Sequence, residues 1–108
     1  MRERVIEAHL RDGVKRMGGI AYKFTSPGNT GVPDRIVLFP GGRLVFVELK
    51  APGGRLSKMQ ERQIGRIRGL GFQVAVLSSR EEVDLFLSCW KEAMPDDVQT
   101  TPVSAVLH

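Results

Sequence analysis

The segment from Arg35 to Leu49 admits few folds. Two apolar runs, Arg35 to Phe39 and Leu44 to Leu49, flank Pro40-Gly41-Gly42-Arg43, and glycines between such runs permit the positive φ of a tight reversal. The spacing predicts a β-hairpin. Its second run, Val45-Phe46-Val47-Glu48-Leu49-Lys50, begins as a buried strand and ends in two charges. Such charges are costly to bury unless they are paired or bound to a metal. Because the chain reverses near Gly41 and Gly42, Asp34 and Glu48 fall at the same open end of the hairpin. Strand alternation then puts Glu48 and Lys50 on one face.

Around the hairpin the periodicities change. Val5, Ile6, His9, Leu10 and Val14 recur at helical spacing through residues 2 to 17, and Gly18 and Gly19 stand where a helix stops. Ile20 to Phe24 reads as a short strand. The stretch from Ser26 to Asp34, rich in glycine, proline and asparagine, reads as a loop. After the hairpin, Met59, Ile64, Ile67 and Leu70 approximate a helical stripe between Ser57 and Leu70, with Ser57 as N-cap and Gln60 at the capping-box position. Phe72 to Leu77 is a compact strand, and Ser79 caps a last helix over about 80–91 that contains Val83, Phe86, Leu87 and Trp90. The predicted order is αβββαβα. Residues 1–94 form one domain on this reading, and 95–108, polar and broken by Pro95 and Pro102, form a flexible tail.

Composition narrows the class. With 42% hydrophobic and 26% charged residues the chain is of globular type, and 108 residues fill a single domain. No apolar stretch approaches the roughly 20 residues that cross a bilayer. The N-terminal MRERVIEAHL carries charge where a signal peptide needs an apolar core, so a cytoplasmic protein without membrane contact is expected. Cys89 alone can form neither an internal disulfide nor a zinc site; a small buried apolar role beside Phe86 and Trp90 is expected for it. His9 and His108 read as surface residues. The net charge of +4 makes nucleic acid a plausible partner without demanding one.

Chemistry concentrates at Asp34, Glu48 and Lys50. Two carboxylates at one place form a hard oxygen site suited to Mg²⁺ or Mn²⁺, ions that keep several waters and accept substrate phosphate as ligand. An ammonium beside them can position a nucleophilic water or stabilise charge growing on a phosphate. The pattern points to phosphodiester hydrolysis. The competing interpretation is an exposed Glu48–Lys50 ion pair with Asp34 as a turn former; the apolar run leading into the two charges favours the site.

Asp34 with Glu48-Leu49-Lys50 resembles the PD-(D/E)xK nuclease signature. The wider pattern is similar to the VRR-NUC family over roughly residues 3–88, through Tyr22-Lys23, Ser26-Pro27-Gly28, Gly31-Val32-Pro33-Asp34-Arg35, Val47-Glu48-Leu49-Lys50, Ala51-Pro52-Gly53-Gly54, Leu56-Ser57 and Gln60. The resemblance implies an α/β, restriction-endonuclease-like fold, with a central mixed sheet flanked by helices. It implies that Asp34, Glu48 and the backbone carbonyl of Leu49 bind the divalent metal and that Lys50 is the catalytic lysine. Glu7 matches the family's acidic residue on the first helix, a further candidate ligand, and Gln60 matches a glutamine after the lysine strand. Residues alone leave Glu7 open to helical ion pairing and Gln60 open to capping alone.

Positive charge surrounds these residues in sequence: Lys23, Arg35, Arg43, Arg55, Lys58, Arg62, Arg66 and Arg68. Lys23, Ser26, Arg35, Arg55, Lys58 and Arg62 are the candidate nucleic-acid contacts, while the arginines of the second helix also fit a solvated face. The aromatic residues lie mostly within apolar runs, so a stacking platform for single strands is not expected. The expectation is therefore a structure-selective DNA endonuclease acting on duplex or branched DNA. Small stand-alone members of the family resemble homodimeric resolvases of four-way (Holliday) junctions; dimer contacts are expected at Phe86 to Trp90 and in the tail. The alternatives are a non-catalytic DNA-binding module of the same fold and a nuclease acting on other branched DNA or on RNA.

Overall fold

The computed structural model describes residues 3–92. The proposed tail at 95–108, and with it the domain boundary at 94 and the tail's part in a dimer, lies outside the described residues. The elements are α1 (Glu3–Arg16), β1 (Ile20–Lys23), β2 (Arg35–Phe39), β3 (Arg43–Leu49), α2 (Lys58–Gly69), β4 (Gln73–Leu77) and α3 (Arg80–Glu92). This is the αβββαβα order read from periodicity. The sheet order is β1-β2-β3-β4. Its first three strands are antiparallel and β4 is parallel to β3, so α2 is the crossover that a parallel pair requires. The hairpin turn forms as expected, with Gly41 at φ 88° and Gly42 at φ 72°, conformations that disfavour any side chain.

Strand alternation divides the sheet into two unlike faces. Val37, Phe39, Val45, Val47, Leu49 and Leu77 point to one face. They pack with Ile6, Leu10 and Val14 of α1 and with Val83, Phe86 and Leu87 of α3 into the core. Each such buried side chain contributes about 1.5–3 kcal/mol through loss of apolar surface to water. Between the two helices, His9 Nε2 lies 2.6 Å from Asp84 Oδ1. The opposite face is only partly covered. Ile64 of α2 and Val74 of β4 are buried there, while Ile20 and Tyr22 of β1 are about half exposed.

Several local expectations are corrected. The stripe on α2 buries only Ile64; Met59 and Leu70 are exposed, because α2 has strand β4 beneath it and no second helix layer above. Cys89 is exposed rather than buried, since α3 turns Val83, Phe86 and Leu87 inward and the intervening positions outward. In the Phe86 to Trp90 stretch, Ser88 and Cys89 are exposed while the aromatic residues turn toward the core. Phe86 is buried, and Trp90 stacks on Phe39 at 5.4 Å between ring centroids.

Candidate active site

Three strand ends build the site. Asp34 immediately precedes β2, and Glu48 and Leu49 end β3. Asp34 Oδ2 accepts a hydrogen bond from the Leu49 amide at 2.9 Å, while its own carbonyl accepts from Phe24 N at 2.7 Å. Lys50 N donates to the Leu77 carbonyl at 2.9 Å, which ties the end of β3 to the end of β4. The hairpin register and the Leu49 amide bond to the Asp34 carboxylate thus bring Asp34, Glu48 and Lys50 to one end of the hairpin.

Glu48 is 1% exposed. Its Oε2 accepts from Gln60 Nε2 at 2.8 Å and lies 3.6 Å from Lys50 Nζ. Both donors serve one oxygen. Oε1 is buried and has no hydrogen-bond partner among the described residues, a position that costs on the order of 1–3 kcal/mol when a polar atom is left unpaired. Burial, then the Asp34 charge, raise the Glu48 carboxyl from 4.5 to about 7, opposed by the charge and hydrogen bond of Lys50. Glu3, at the start of α1, adds a smaller push upward.

The donor set fits a hard divalent cation. A buried carboxylate oxygen without a proton donor, beside a second carboxylate, is what Mg²⁺ or Mn²⁺ would complete, because such ions need only one or two carboxylates from the protein and complete their shell with water and phosphate. Asp34, Glu48 and the neighbouring Leu49 carbonyl are the groups able to hold it. Among the described residues no cluster of three or more His, Cys, Asp or Glu side chains is arranged around a metal position.

Glu7, which the resemblance implied as a further ligand, is paired with Arg35 in this structure. Its Oε2 lies 2.7 Å from Arg35 Nη2, and Arg35 also donates from Nη1 to the Ala21 carbonyl at 3.2 Å. Arg35 points to the α1 face of the sheet, where it is 8% exposed. It locks α1 to β1 and β2 instead of presenting its guanidinium to solvent. Gln60 caps the helix and also touches Glu48. Its Oε1 accepts from Ser57 N at 2.8 Å, completing a capping box in which Ser57 Oγ accepts from Gln60 N at 3.1 Å, while its Nε2 holds Glu48.

The remaining cations separate into two groups. Arg43 sits at the turn end of the hairpin, away from the site: Nη1 donates to the Trp90 carbonyl at 2.8 Å, and its guanidinium lies 5.3 Å from both the Phe39 and Trp90 rings. Arg68 Nη2 donates to the Val74 carbonyl at 2.8 Å. Both are committed to structure. Lys23, Arg55, Lys58, Arg62 and Arg66 are exposed. Ser26 Oγ accepts from Asn29 Nδ2 at 2.8 Å, closing the loop on itself. That loop continues to Gly31, whose φ is 95°; a Cβ there would meet the Met59 carbonyl carbon at 2.7 Å, so the loop packs against the first turn of α2.

Sequence reasoning passed over Glu3. The signal was its position one helical turn before Glu7, which gave the first helix two acids on one side.

Comparison with known proteins agrees with this geometry. The family model of the VRR-NUC domain matches residues 4–81. A relative named "Putative nuclease p44", from Acyrthosiphon pisum secondary endosymbiont phage 1, is 52% identical over 81 residues, spanning 75% of this chain and 87% of that protein. A solved structure described as a VRR_NUC domain superposes with a TM-score of 0.75 at 29% identity, over 80% of this chain and 94% of the other. A second, described as a VRR_NUC domain protein, shares the fold with a TM-score of 0.59 at 18% identity, over 84% and 86% of the two chains. The matched span takes in Asp34, Glu48, Lys50 and Gln60, and the chain belongs to the VRR-NUC family of nuclease domains.

Proposed function

We propose that this chain is a Mg²⁺- or Mn²⁺-dependent, structure-selective DNA endonuclease that acts as a homodimer, with four-way junctions as its substrate. The observation that carries the reading is the buried Glu48 carboxylate, with Oε2 held by Gln60 and Lys50 and Oε1 left without a donor beside Asp34. Asp34 and Glu48 bind the ion. When bound, it supplies Lewis-acid polarisation of the scissile phosphate. Lys50 Nζ positions the attacking water and stabilises the negative charge that develops on the phosphate. Gln60 keeps the Glu48 carboxylate in one orientation, so that less reorganisation is needed when substrate arrives. Family membership supports the nuclease assignment.

The half of the sheet that α2 leaves uncovered supports the dimer. Register places Ile20, Leu38 and Leu44 in one row and Tyr22, Ile36 and Phe46 in the next, with Ile20 49% and Tyr22 56% exposed. A two-fold axis through this apolar face would bury it against its own copy. Light scattering at micromolar concentration is expected to give about twice the 12.0 kDa chain mass; a monomer there refutes the dimer.

The experiment for the activity is cleavage of labelled four-way junction, fork, nicked duplex, single-stranded DNA and RNA with Mg²⁺ or Mn²⁺, with chelator and Glu48→Ala controls. Symmetric junction incision, lost with chelator and in the variant, is the expected result. Folded, DNA-binding protein that cleaves nothing would identify a non-catalytic module. Cleavage of RNA alone would replace the substrate, and cleavage that survives chelation would remove the metal.

A further inference from the structure

We propose that Gly31 is a positioning residue for the metal site: its bare α-carbon lets the loop leading to Asp34 rest on the peptide between Met59 and Gln60, and so keeps the Gln60 amide on Glu48. The inference rests on the metal-dependent reading of this site. It adds a residue that need touch neither metal nor substrate.

The two carboxylates arrive on neighbouring strand ends, but the group that orients Glu48 arrives on a helix. Between Leu49 and Lys58 the chain passes through Pro52, Gly53, Gly54 and Arg55, all exposed, so the covalent connection does little to fix where the first turn of α2 stands. Ile64, one turn beyond Gln60, is the residue that α2 buries. The first turn itself meets the Gly31 loop. A Cβ at Gly31 would lie 2.7 Å from both the carbonyl carbon and the carbonyl oxygen of Met59, and 2.9 Å from Gln60 N. Across the same seam, Gln63 Nε2 lies 3.5 Å from the Thr30 carbonyl.

The seam is stiff on both sides. Val32 precedes a proline, which restricts it to extended backbone; Pro33 has a fixed φ and is fully buried. Asp34 follows, tied through Oδ2 to the Leu49 amide at 2.9 Å. On the helix side the Gln60 amide is bonded at both ends, Oε1 to Ser57 N and Nε2 to Glu48 Oε2, each at 2.8 Å. Non-bonded carbon atoms settle about 3.5–4.0 Å apart, so a methyl at Gly31 requires the Met59–Gln60 peptide to retreat by roughly 1 Å. A shift of that size takes a 2.8 Å hydrogen bond out of range. Because Gln60 is also fixed to its own helix cap, its side chain cannot follow Glu48 freely.

A second glycine of the loop separates space from backbone conformation. Gly28 has φ 81° and Gly31 φ 95°, values that any side chain disfavours. A Cβ at Gly28 would meet nothing within 4 Å. Conformation alone calls for glycine at 28, whereas at 31 the approach of α2 calls for it as well.

The test compares Gly31→Ala, Gly28→Ala, Gln60→Ala and the Gly31→Ala/Gln60→Ala pair in the full chain. Mn²⁺ affinity is measured by calorimetry, and the Gln60 side-chain amide is followed by ¹⁵N NMR in metal-free protein. Gly31→Ala is expected to lower Mn²⁺ affinity by about 10- to 100-fold, as loss of a group that orients a ligand does, and to move the Gln60 amide resonance toward that of a free glutamine. Gly28→Ala should leave both readouts unchanged. In the Gln60→Ala background, Gly31→Ala should cost less than about twofold more, since residues that act through one another are not additive. Equal losses from the two glycines, or full additivity with Gln60→Ala, overturn the proposal. Should Gly31→Ala fail to unfold cooperatively, Gln63→Ala loosens the same seam without touching the backbone; it is expected to move the Gln60 amide, and an unmoved resonance overturns the proposal. Absence of Mn²⁺ uptake by the unsubstituted chain would refute the metal reading separately, because the Gln60 resonance reports the Gly31 contact without metal or turnover.

Discussion

Replacing Glu48 by glutamine should stabilise the metal-free protein while destroying its activity, and should do so only above neutral pH. In the folded chain Glu48 keeps its proton up to about 7, against 4.5 for the unperturbed group, chiefly because burial disfavours the charge. The folded state therefore binds this proton more tightly than the unfolded state. The resulting stabilisation is complete below pH 4.5 and is gone once the pH has passed about 7. The difference corresponds to about 3 kcal/mol of stability, or a melting shift of roughly 10 °C or more for a domain of this size. The glutamine carries no charge at any pH. Its amide leaves a buried donor at the Oε1 position, but that cost is independent of pH, so the change in the variant-minus-parent difference between pH 4 and pH 8.5 isolates the charge. The assay is thermal unfolding of chelated protein at those two pH values. The variant should gain on the parent by about 3 kcal/mol between them, and added Mn²⁺ should raise the melting temperature of the parent far more than that of the variant at pH 8.5. A difference that stays constant with pH would refute the claim that the buried charge, rather than packing, sets the cost of the site.

Lys50→Ala should lower cleavage by about 100-fold or more through loss of a positioned cation, with an unaltered circular dichroism spectrum, and should move the Glu48 carboxyl still farther upward because Lys50 opposes its rise. Glu7→Ala strands a buried guanidinium and should cost about 2 kcal/mol in urea unfolding; unchanged stability combined with weakened Mn²⁺ binding would instead make Glu7 a ligand. Gln60→Ala removes the reciprocal half of a capping box and one donor to Glu48. It should cost about 1–2 kcal/mol and weaken Mn²⁺ in calorimetric titration, whereas loss of stability with intact metal affinity would reduce Gln60 to a cap.

What could be read in advance was whatever depends on neighbours in the chain. The glycines at 41 and 42 and the apolar runs beside them were enough to bring Asp34 and Glu48 together, and Ser57 with Gln60 was enough to start α2. What could not be read depends on tertiary packing. That Glu7 meets Arg35 depends on how α1 lies across the sheet, and that is decided by Ile6, Leu10 and Val14 packing against strands distant in sequence. Arg43 was counted with the positive charge around the site, yet it stands at the turn end of the hairpin and bonds the Trp90 carbonyl near the end of α3. Met59 and Leu70 satisfied a helical stripe that would face a core only if the sheet were covered on that side. Cys89 followed the same logic, its apolar neighbourhood in sequence being unrelated to the face it occupies on α3.

The two ends of the Gln60 side chain place a helix terminus and a reactive centre in one cooperative unit. Fraying of the first turn of α2, an event that helices undergo readily, withdraws the amide from Glu48 in the same motion. A chain that has formed its hairpin but not its crossover thus has the acidic pair without the group that orients it. Nascent or partly opened copies would be poor at cutting nucleic acid, and protection of the Gln60 and Glu61 amides against hydrogen exchange should rise and fall with the ability to retain Mn²⁺.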